Sequence, residues 1–595
     1  MIAVIVLTPA ALDTGRRVAA ALPGATLHAL AGRVAAEDAT MVAEMAPHLR
    51  ALFAAGTTIV GVCAAGILIR ALAPLLADKH AEPPVLAVAP DGSAVVPLLG
   101  GHHGANVLAR RLAAALACPA AVTTAGDLAL GLALDEPPAG WTVANPEAAK
   151  PVAAMLLAEG PVRLEVEAGD AGWLAGLPFT DAAELEVRVT DRAVEPDDNE
   201  LVLHPPTLAL GVGCERGCDP AELEALVRDT LAAEALAPAS IACVASVDLK
   251  ADEAAVHALA GALGVPARFF TAARLNAEAG RLATPSEIVM REIGCPGVSE
   301  GAALAAAGPD SELVVAKTKS RRATMAVARA RHDIDPSAVG RARGRLFIVG
   351  IGPGSADMRT PEASAAIATS TDLVGYGLYL DLLGAAAAGK ARHESGLGAE
   401  ADRARMALDL AAEGRTVSLV CSGDAGIYAL ATLAFELMDR ERRPDWLRLE
   451  VTVVPGVSAL QAAAARAGAP VNHDFCTISL SDLLTPWQSI ERRLKAAAEA
   501  DFVVCFYNPV SQRRRDQLAR ARDILLTGRP PETPVILARQ LGRPEEKVEV
   551  VTLGELTPDH ADMLTMVVVG NSETRRLELP SGTRVYTPRG YARKL

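Results

Sequence analysis

From Arg345 onward the chain repeats one pattern: a β-branched run stops at a turn of small residues, and several such turns lead straight into a helical stretch. The runs are RLFIVGIGPG, TDLVGYG, TVSLVCSGDAGIYALATLAF, LEVTVVPGVSALQAAAA, ADFVVCFYNP, TPVILARQ and MLTMVVVGN. Apolar runs with so little polar alternation are strands buried on both faces, which restricts this region to an α/β fold with much parallel sheet. The repeat is strand, turn and helix, with no short period of the kind a solenoid needs.

The same alternation is present earlier. TTIVGVCAAGILIRALAPLL reads as strand, small-residue turn and helix. VLAVAPDGSAVVPLLGGHHGANVLARRLAAAL predicts two short strands joined by a turn at Pro90-Asp91-Gly92-Ser93, then a Gly-Gly-His-His-Gly loop that opens a helix. Between Asp135 and Pro206 the pattern weakens and proline and acidic residues become frequent, which marks a small middle domain. LALGVGCERGCDPAELEALVRDTL starts a new unit, with Asp219 as N-cap and Pro220 at the first helical position. RARHDIDPSAVGRARG is polar and has no apolar period, so it reads as a linker. The expected organisation is therefore a multidomain α/β protein: domains at 1–135, 136–206 and 207–328, a linker at 329–344, and a larger domain at 345–595.

With 595 residues the chain is long enough for several cores, and 51% hydrophobic content excludes a disordered protein. A net charge of −14 argues against general affinity for nucleic acid. The N-terminal apolar run is about six residues with no basic region before it, so it is expected to be a buried strand and not a signal peptide. No apolar span approaches the roughly 20 residues of a membrane helix. Nine scattered cysteines suit the reducing cytoplasm. Cys214 and Cys218 lack a second pair, so no metal is expected there.

Gly350-Ile351-Gly352-Pro353-Gly354 resembles a dinucleotide loop but fails as one. Ser355 stands where the third glycine of G-x-G-x-x-G belongs, and Pro353 lacks an amide and should push Gly352 to extended geometry. The following helix should start late, with Thr360 as cap and Pro361 after it. Ser422 to Gly426 and Pro455 to Ala459 form two further small-residue turns at strand ends. Three such loops can line one crevice, the usual ligand position in an open α/β sheet.

These residues resemble the tetrapyrrole methylase family, which binds S-adenosylmethionine between two α/β lobes. APVNHDFCTISLSDLLTPW, FYNPVSQRRRDQL and MLTMVVVGNSETR are similar to the precorrin-3B C17-methyltransferases within it, and the likeness runs from Arg345 to Arg589. The resemblance implies a donor site from Gly352, Pro353, Gly354, Ser422, Gly423, Asp424, Ala425, Pro455, Gly456, Ser458 and Ala459, completed by Tyr507, Asn508 and Thr565. It also implies methylation at C-17 with ring contraction, which needs a base for a C-20 hydroxyl proton. Asp424, His393 and His473 are the candidates; against this, Asp424 also suits a cap, and each histidine suits a surface or packing position. Arg513, Arg514 and Arg515 are candidates for the carboxylates of a precorrin or cobalt-precorrin substrate, or for a solvated helix face. A homodimer through the methylase lobes is implied as well.

In the first half, GVCAAGILIRALAP and GGHHGANVLARRLA resemble the N-terminal part of cobalt-precorrin-5A hydrolases. LGVGCERGCDPAEL, ASVDLKADEAAVHALA, TPSEIVMREIGCPGVSEGAALAAAG and VVAKTKSRRATMAVA resemble their C-terminal part. Opening a lactone needs activated water and a stabilised oxyanion. His102 and His103 are candidates, with Asn106 one turn into the helix; the alternative is that the histidines merely cap a tight turn. Lys250 and Lys319 are candidates for substrate carboxylates. The other readings are a different methylase activity (C-11, C-20, diphthine or ribosomal RNA) and a first half that binds corrinoid without catalysis.

Overall fold

The computed structural model describes residues 2–22, 24–36, 38–76, 82–123, 130, 132–181, 184–396, 398–511 and 514–591, with the backbone but not the side chain of His102. The chain divides into two compact units, Met1–Arg343 and Gly344–Leu595.

Among the described residues the first unit contains three sheets. In the first, the strands run in the order Thr40–Val42, Ala25–Leu30, Ile2–Val6, Thr58–Val62, Val85–Val88 and Val95–Leu99. All neighbours are parallel except the last pair, which is antiparallel. The predicted hairpin turn is present, closed by Gly92 N–H to the Ala89 carbonyl (2.8 Å) and by the Ser93 amide to Asp91 Oδ1 (3.0 Å). Val4, Ile5, Val60 and Leu86 are fully buried, so the uninterrupted apolar runs are strands covered on both faces.

A second sheet, ordered Thr142–Val143, Glu200–His204, Leu185–Val189 and Val162–Val166, packs around Leu134, Trp141, Leu156 and Leu174. The third is ordered Ala267–Phe270, Ile241–Val247, Leu208–Cys214, Ala323–Arg329 and Glu312–Lys319. Its helix Pro220–Ala233 starts as expected, with Asp219 Oδ1 accepting from the Ala221 amide at 3.0 Å and Pro220 in the first turn.

Of the polar stretch 329–344, Arg329 ends the strand Ala323–Arg329 and the rest is irregular, but it is not a free tether. Asp333 accepts from Trp141 Nε1 (2.6 Å) and from the Asp170 amide (3.1 Å), and Ile334 is buried. Arg341 and Phe269 exchange two backbone hydrogen bonds (2.7 and 2.8 Å), and the Arg268 guanidinium donates to the carbonyls of Ser337, Val339 and Gly340. Side-chain-to-backbone bonds hold this segment, and they leave no apolar period in the sequence.

A histidine pair joins the first sheet to the helix Met45–Ala54. His28 is 9% exposed, with Nε2 at 2.8 Å from Thr26 Oγ1 and Nδ1 at 3.0 Å from His48 Nε2. Burial first, and the His48 charge second, lower its pKa to about 4. A histidine depressed in the folded state stabilises the fold above its unfolded pKa and loses that contribution as pH falls through the folded one. Stability of the first unit should therefore decline from about pH 6.5 to about pH 4, by roughly 3 kcal/mol in total. Thermal melts across that range should show the decline in the wild type and a flatter profile in His28→Gln; equal profiles would refute the assignment.

The second unit has two lobes. In the first, five parallel strands run in the order Ala391–Ser395, Asp372–Tyr376, Thr416–Cys421, Arg345–Gly350 and Glu450–Val454. In the second, the order is Phe475–Ser479, Val503–Tyr507, Thr565–Val569, Pro534–Arg539 and Lys547–Thr552, with only the first pair parallel. A small sheet of Gly468–Ala469, Gly582–Tyr586 and Arg575–Leu579 adjoins it. The helix Pro361–Thr369 begins where expected, with Thr360 Oγ1 accepting from the Ala363 amide at 3.1 Å. No helix among the described residues is long and apolar enough to cross a membrane.

Candidate functional site

Three adjacent strands of the parallel lobe end at one level, because Gly350 pairs with Cys421 and Val349 pairs with Val454. Their loops consequently emerge side by side. Gly352 and Gly423 exchange two backbone hydrogen bonds (3.1 and 2.8 Å), which zips the first loop to the second. Asp424 ties in the third: its Oδ1 accepts from the Gly426 amide at 2.8 Å and its Oδ2 from the Gly456 amide at 3.0 Å. Thr360 also donates to the Pro455 carbonyl at 3.3 Å.

Glycine is required where these loops touch. A Cβ on Gly350 would stand 2.6 Å from the Gly423 carbonyl oxygen, and one on Gly456 would stand 2.2 Å from the same atom. Gly352 is not extended, as the following proline suggested it would be; its φ is +81°, a region open to glycine, which brings it against the Met358 carbonyl. Ser458, 1% exposed, caps the helix Ala459–Ala467 in a capping box with Gln461. Pro353 and Ala425 are buried beneath the loops, while Ser422 is half-buried.

The second lobe presents the carboxyl end of Val503–Tyr507 to these loops. The Tyr507 ring lies 5.1 Å from that of Tyr428, whose hydroxyl donates to the Thr477 carbonyl at 3.1 Å. The Tyr507 hydroxyl is enclosed beside Ser458 and the Leu460 amide without a well-formed hydrogen bond, and burial pushes its pKa up to about 12. Asn508 has φ +50° and donates from Nδ2 to Ser479 Oγ at 3.1 Å. Thr565 opens the antiparallel neighbour strand at the same end, its hydroxyl bonded to Asp562 Oδ1 at 2.7 Å. Thus the residues expected to hold a donor gather from both lobes of the second unit. Beside them, at the carboxyl ends of Asp372–Tyr376 and Ala391–Ser395, lies a cavity of about 410 Å³ lined by Tyr376, Gly377, Leu378, Asp381, Glu394, Ser395 and Gly396.

Two base candidates lie elsewhere. His393 Nε2 is 2.8 Å from Asp372 Oδ1, which Arg415 also contacts at 3.1 Å, at the amino end of the parallel strands and opposite the loops. Although buried, the Asp372 carboxyl is held below its usual range by hydrogen bonds from Thr371, His393 and Arg415. His473 is exposed and precedes Phe475–Ser479, at the end of that sheet remote from Tyr507. Of the arginine run, Arg513 lies outside the described residues. Arg514 is 8% exposed and braces the lobe internally, donating to Ser481 Oγ (3.1 Å) and the Asn508 carbonyl (2.8 Å); Arg515 pairs with Asp559.

In the first unit the Gly-Gly-His-His-Gly loop is held by Gly100 at φ +68° and Gly104 at φ +88°. Leu99 pairs with Val85, the first residue of its antiparallel neighbour, so the loop lies at the amino edge of the parallel strands. That edge is opposite the one where open α/β sheets bind ligands. His103 is exposed, Asn106 is buried, and the His102 side chain lies outside the described residues. Lys250 stands 3.5 Å from Glu253, and Lys319 is exposed; both are at the carboxyl edge of the third sheet, near Cys214. Burial pushes the Cys214 thiol up to about 11, and the described residues contain no group of three His, Cys, Asp or Glu placed to hold a metal.

Sequence reasoning missed Tyr428 and the loop Leu541–Gly542–Arg543, which packs on Gly354: a Cβ there would meet the Leu541 carbonyl oxygen at 2.6 Å. The available signal was Gly542 between two strand-like runs.

A parallel lobe with three zipped glycine loops, facing a mixed lobe, is matched over residues 345–557 by the family model of tetrapyrrole (corrin/porphyrin) methylases, and the chain belongs to that family. Residues 47–127 and 208–328 match the models for the N-terminal region and the C-terminus of cobalamin synthesis protein G. Among relatives, the precorrin-3B C(17)-methyltransferase of Sinorhizobium sp is 46% identical over 250 residues, which span 42% of this chain and 98% of that protein. A probable cobalt-factor III C(17)-methyltransferase of Salmonella typhimurium is 45% identical over 246 residues, 41% of this chain and 99% of that one. The crystal structure of the methyltransferase CobJ corresponds to 41% of this chain and 100% of its own, with 44% identity and a TM-score of 0.39.

The family uses S-adenosylmethionine. The crevice suits it: a Cβ on Gly423 would meet the Ala459 amide nitrogen at 3.8 Å, so the second and third loops are in close contact there, and Tyr507 brings a buried hydroxyl without a well-formed hydrogen bond.

Proposed function

We propose that residues 345–595 methylate C-17 of precorrin-3B or cobalt-factor III and contract the ring, and that the first unit opens the lactone of cobalt-precorrin-5A with release of acetaldehyde. The observation that carries the first part is 46% identity across nearly the whole length of a C17-methyltransferase. The second part rests on the two cobalamin synthesis G matches flanking the middle sheet.

S-adenosylmethionine, when bound, supplies an electrophilic methyl group. The chain's own task is to hold donor and macrocycle in line and to exclude water. The loops at Gly352–Gly354, Ser422–Ala425 and Pro455–Ala459 offer backbone groups as the donor floor, with Tyr507, Asn508 and Thr565 as the facing wall. Of the three base candidates, only Asp424 stands in this crevice. Its two oxygens already accept amides, so we assign it the positioning of the second and third loops. The reading extends to a homodimer through the methylase lobes, for which Leu483 and Leu484 (85% and 98% exposed) offer apolar surface. It extends also to the cytoplasm, where nine unpaired thiols stay reduced.

Mass spectrometry of the product formed from S-adenosylmethionine and, separately, precorrin-3B and cobalt-factor III tests the methylase reading. One added methyl with the absorbance of a contracted ring is expected from one substrate, which also selects the route. Methylation of neither, with donor still bound, would move the C-11 and C-20 activities to the front. The same protein given cobalt-precorrin-5A should release acetaldehyde. Its absence would favour a first unit that binds corrinoid without catalysis, the reading supported by the His102–His103 loop lying at the amino edge of its sheet.

A further inference from the structure

The loop joining Pro534–Arg539 to Lys547–Thr552 is tightly specified. Gln540 has φ +50° and Gly542 has φ +71°, so two of three consecutive residues are left-handed. The Gly542 amide donates to Glu546 Oε2 at 2.6 Å, and Glu546 Oε1 accepts from Arg466 at 2.7 Å. Gln540 donates to Glu545 at 2.7 Å, and Arg539 is 3.4 Å from Asp562. The acidic groups of this loop are thereby engaged by residues other than Arg543.

Arg543 is the exception among its neighbours. Its side chain crosses Gly354 so closely that a Cβ there would stand 2.7 Å from Arg543 Cγ. Its Nε is buried without a partner, and the guanidinium makes no ion pair with any described residue. It lies near enough to Tyr379, on the helix Gly377–Asp381, for its charge to offset part of the rise that burial imposes on that phenol. Tyr379 in turn packs edge-on against Tyr376, which lines the 410 Å³ cavity, at 5.3 Å. A half-buried cation with an unused donor costs free energy unless an anion completes it. Here it is laid across the glycine loop of the donor crevice, within electrostatic reach of Tyr379, the neighbour of cavity-lining Tyr376.

Resting on the reading of this crevice as the methyl-transfer site, we infer that Arg543 binds a carboxylate there. Two sources share that chemistry: the amino-acid carboxylate of the methyl donor and the acidic side chains of the macrocycle. A planar guanidinium suits either, through paired N–H donors.

The test uses the full chain with Arg543→Ala and Arg543→Lys, checked for unchanged melting. Calorimetric titration with S-adenosylhomocysteine reads the donor arm, and absorbance titration with precorrin-3B or cobalt-factor III reads the macrocycle arm. Removing a charged hydrogen bond should weaken one of the two by roughly 10- to 100-fold in Arg543→Ala, with partial recovery in Arg543→Lys. Weaker S-adenosylhomocysteine with unchanged macrocycle assigns the donor; the reverse assigns the macrocycle. Both affinities remaining within about twofold of wild type, well below the loss of one charged hydrogen bond, would overturn the inference. A wild type that binds S-adenosylhomocysteine but neither macrocycle would instead fail the substrate reading, and the S-adenosylhomocysteine arm alone would then decide for or against Arg543.

Discussion

Gly456→Ala should abolish methyl transfer while the protein stays folded. The added methyl would lie 2.2 Å from the Gly423 carbonyl oxygen and 2.6 Å from the Gly350 carbonyl oxygen. Both are backbone atoms, so no rotamer change relieves the clash, and the third loop must move off the other two. Such a shift breaks the alignment that in-line displacement depends on, and a misplacement of about 1 Å is worth roughly 100-fold in rate. Gly456 also donates to Asp424, so moving it loosens the second loop. The strands beneath are fully buried at Ile348, Leu419 and Val420 and should keep the lobe intact. Titration with S-adenosylhomocysteine should show clearly weakened donor binding, with circular dichroism unchanged. Donor affinity close to wild type would mean that these loops are not the donor floor.

What the sequence disclosed was local. Thr360 and Asp219, each followed by proline, mark helix starts because a cap is settled within four residues. The three glycine loops were legible because each directly ends an apolar strand. Two things were not legible. One is which end of a sheet a side chain serves: His393 and His473 resemble any catalytic histidine until their strands are placed, and then His393, in mid-strand, turns its imidazole back to Asp372 at the amino end, while His473 precedes its strand. The His102–His103 loop follows the same logic, since the antiparallel pairing of Val95–Leu99 turns its carboxyl end to the wrong edge for a ligand. The other is contact across the crevice. Arg543 is about 190 residues from Gly354, and its meaning comes only from the hairpin loop folding onto that glycine. Arg514 shows the converse, a charge that looked ready for substrate and instead holds Ser481 and Asn508 together.

Asp424 distinguishes two mechanisms with one pair of variants. As a positioning residue it offers two acceptors to two amides, Gly426 and Gly456, one in each of two loops. Asp424→Ala removes both bonds; the exposed Gly426 amide turns to water, while the partly buried Gly456 amide is left without a partner, a loss of about 1 to 3 kcal/mol. Asp424→Asn keeps one acceptor but turns an N–H group toward an amide, so it should be nearly as harmful. Both variants should therefore weaken S-adenosylhomocysteine binding by roughly 10- to 100-fold and lower the melting temperature, with methylation falling in step with donor affinity. A general base predicts a different pattern. Donor affinity and melting would be preserved, while kcat would fall by roughly 100-fold or more at saturating donor in both variants, because neither alanine nor asparagine accepts the hydroxyl proton. Loss of donor binding assigns Asp424 to the floor of the crevice. Loss of turnover with donor binding intact would return it to the reacting atoms and require its amide contacts to open when substrate arrives.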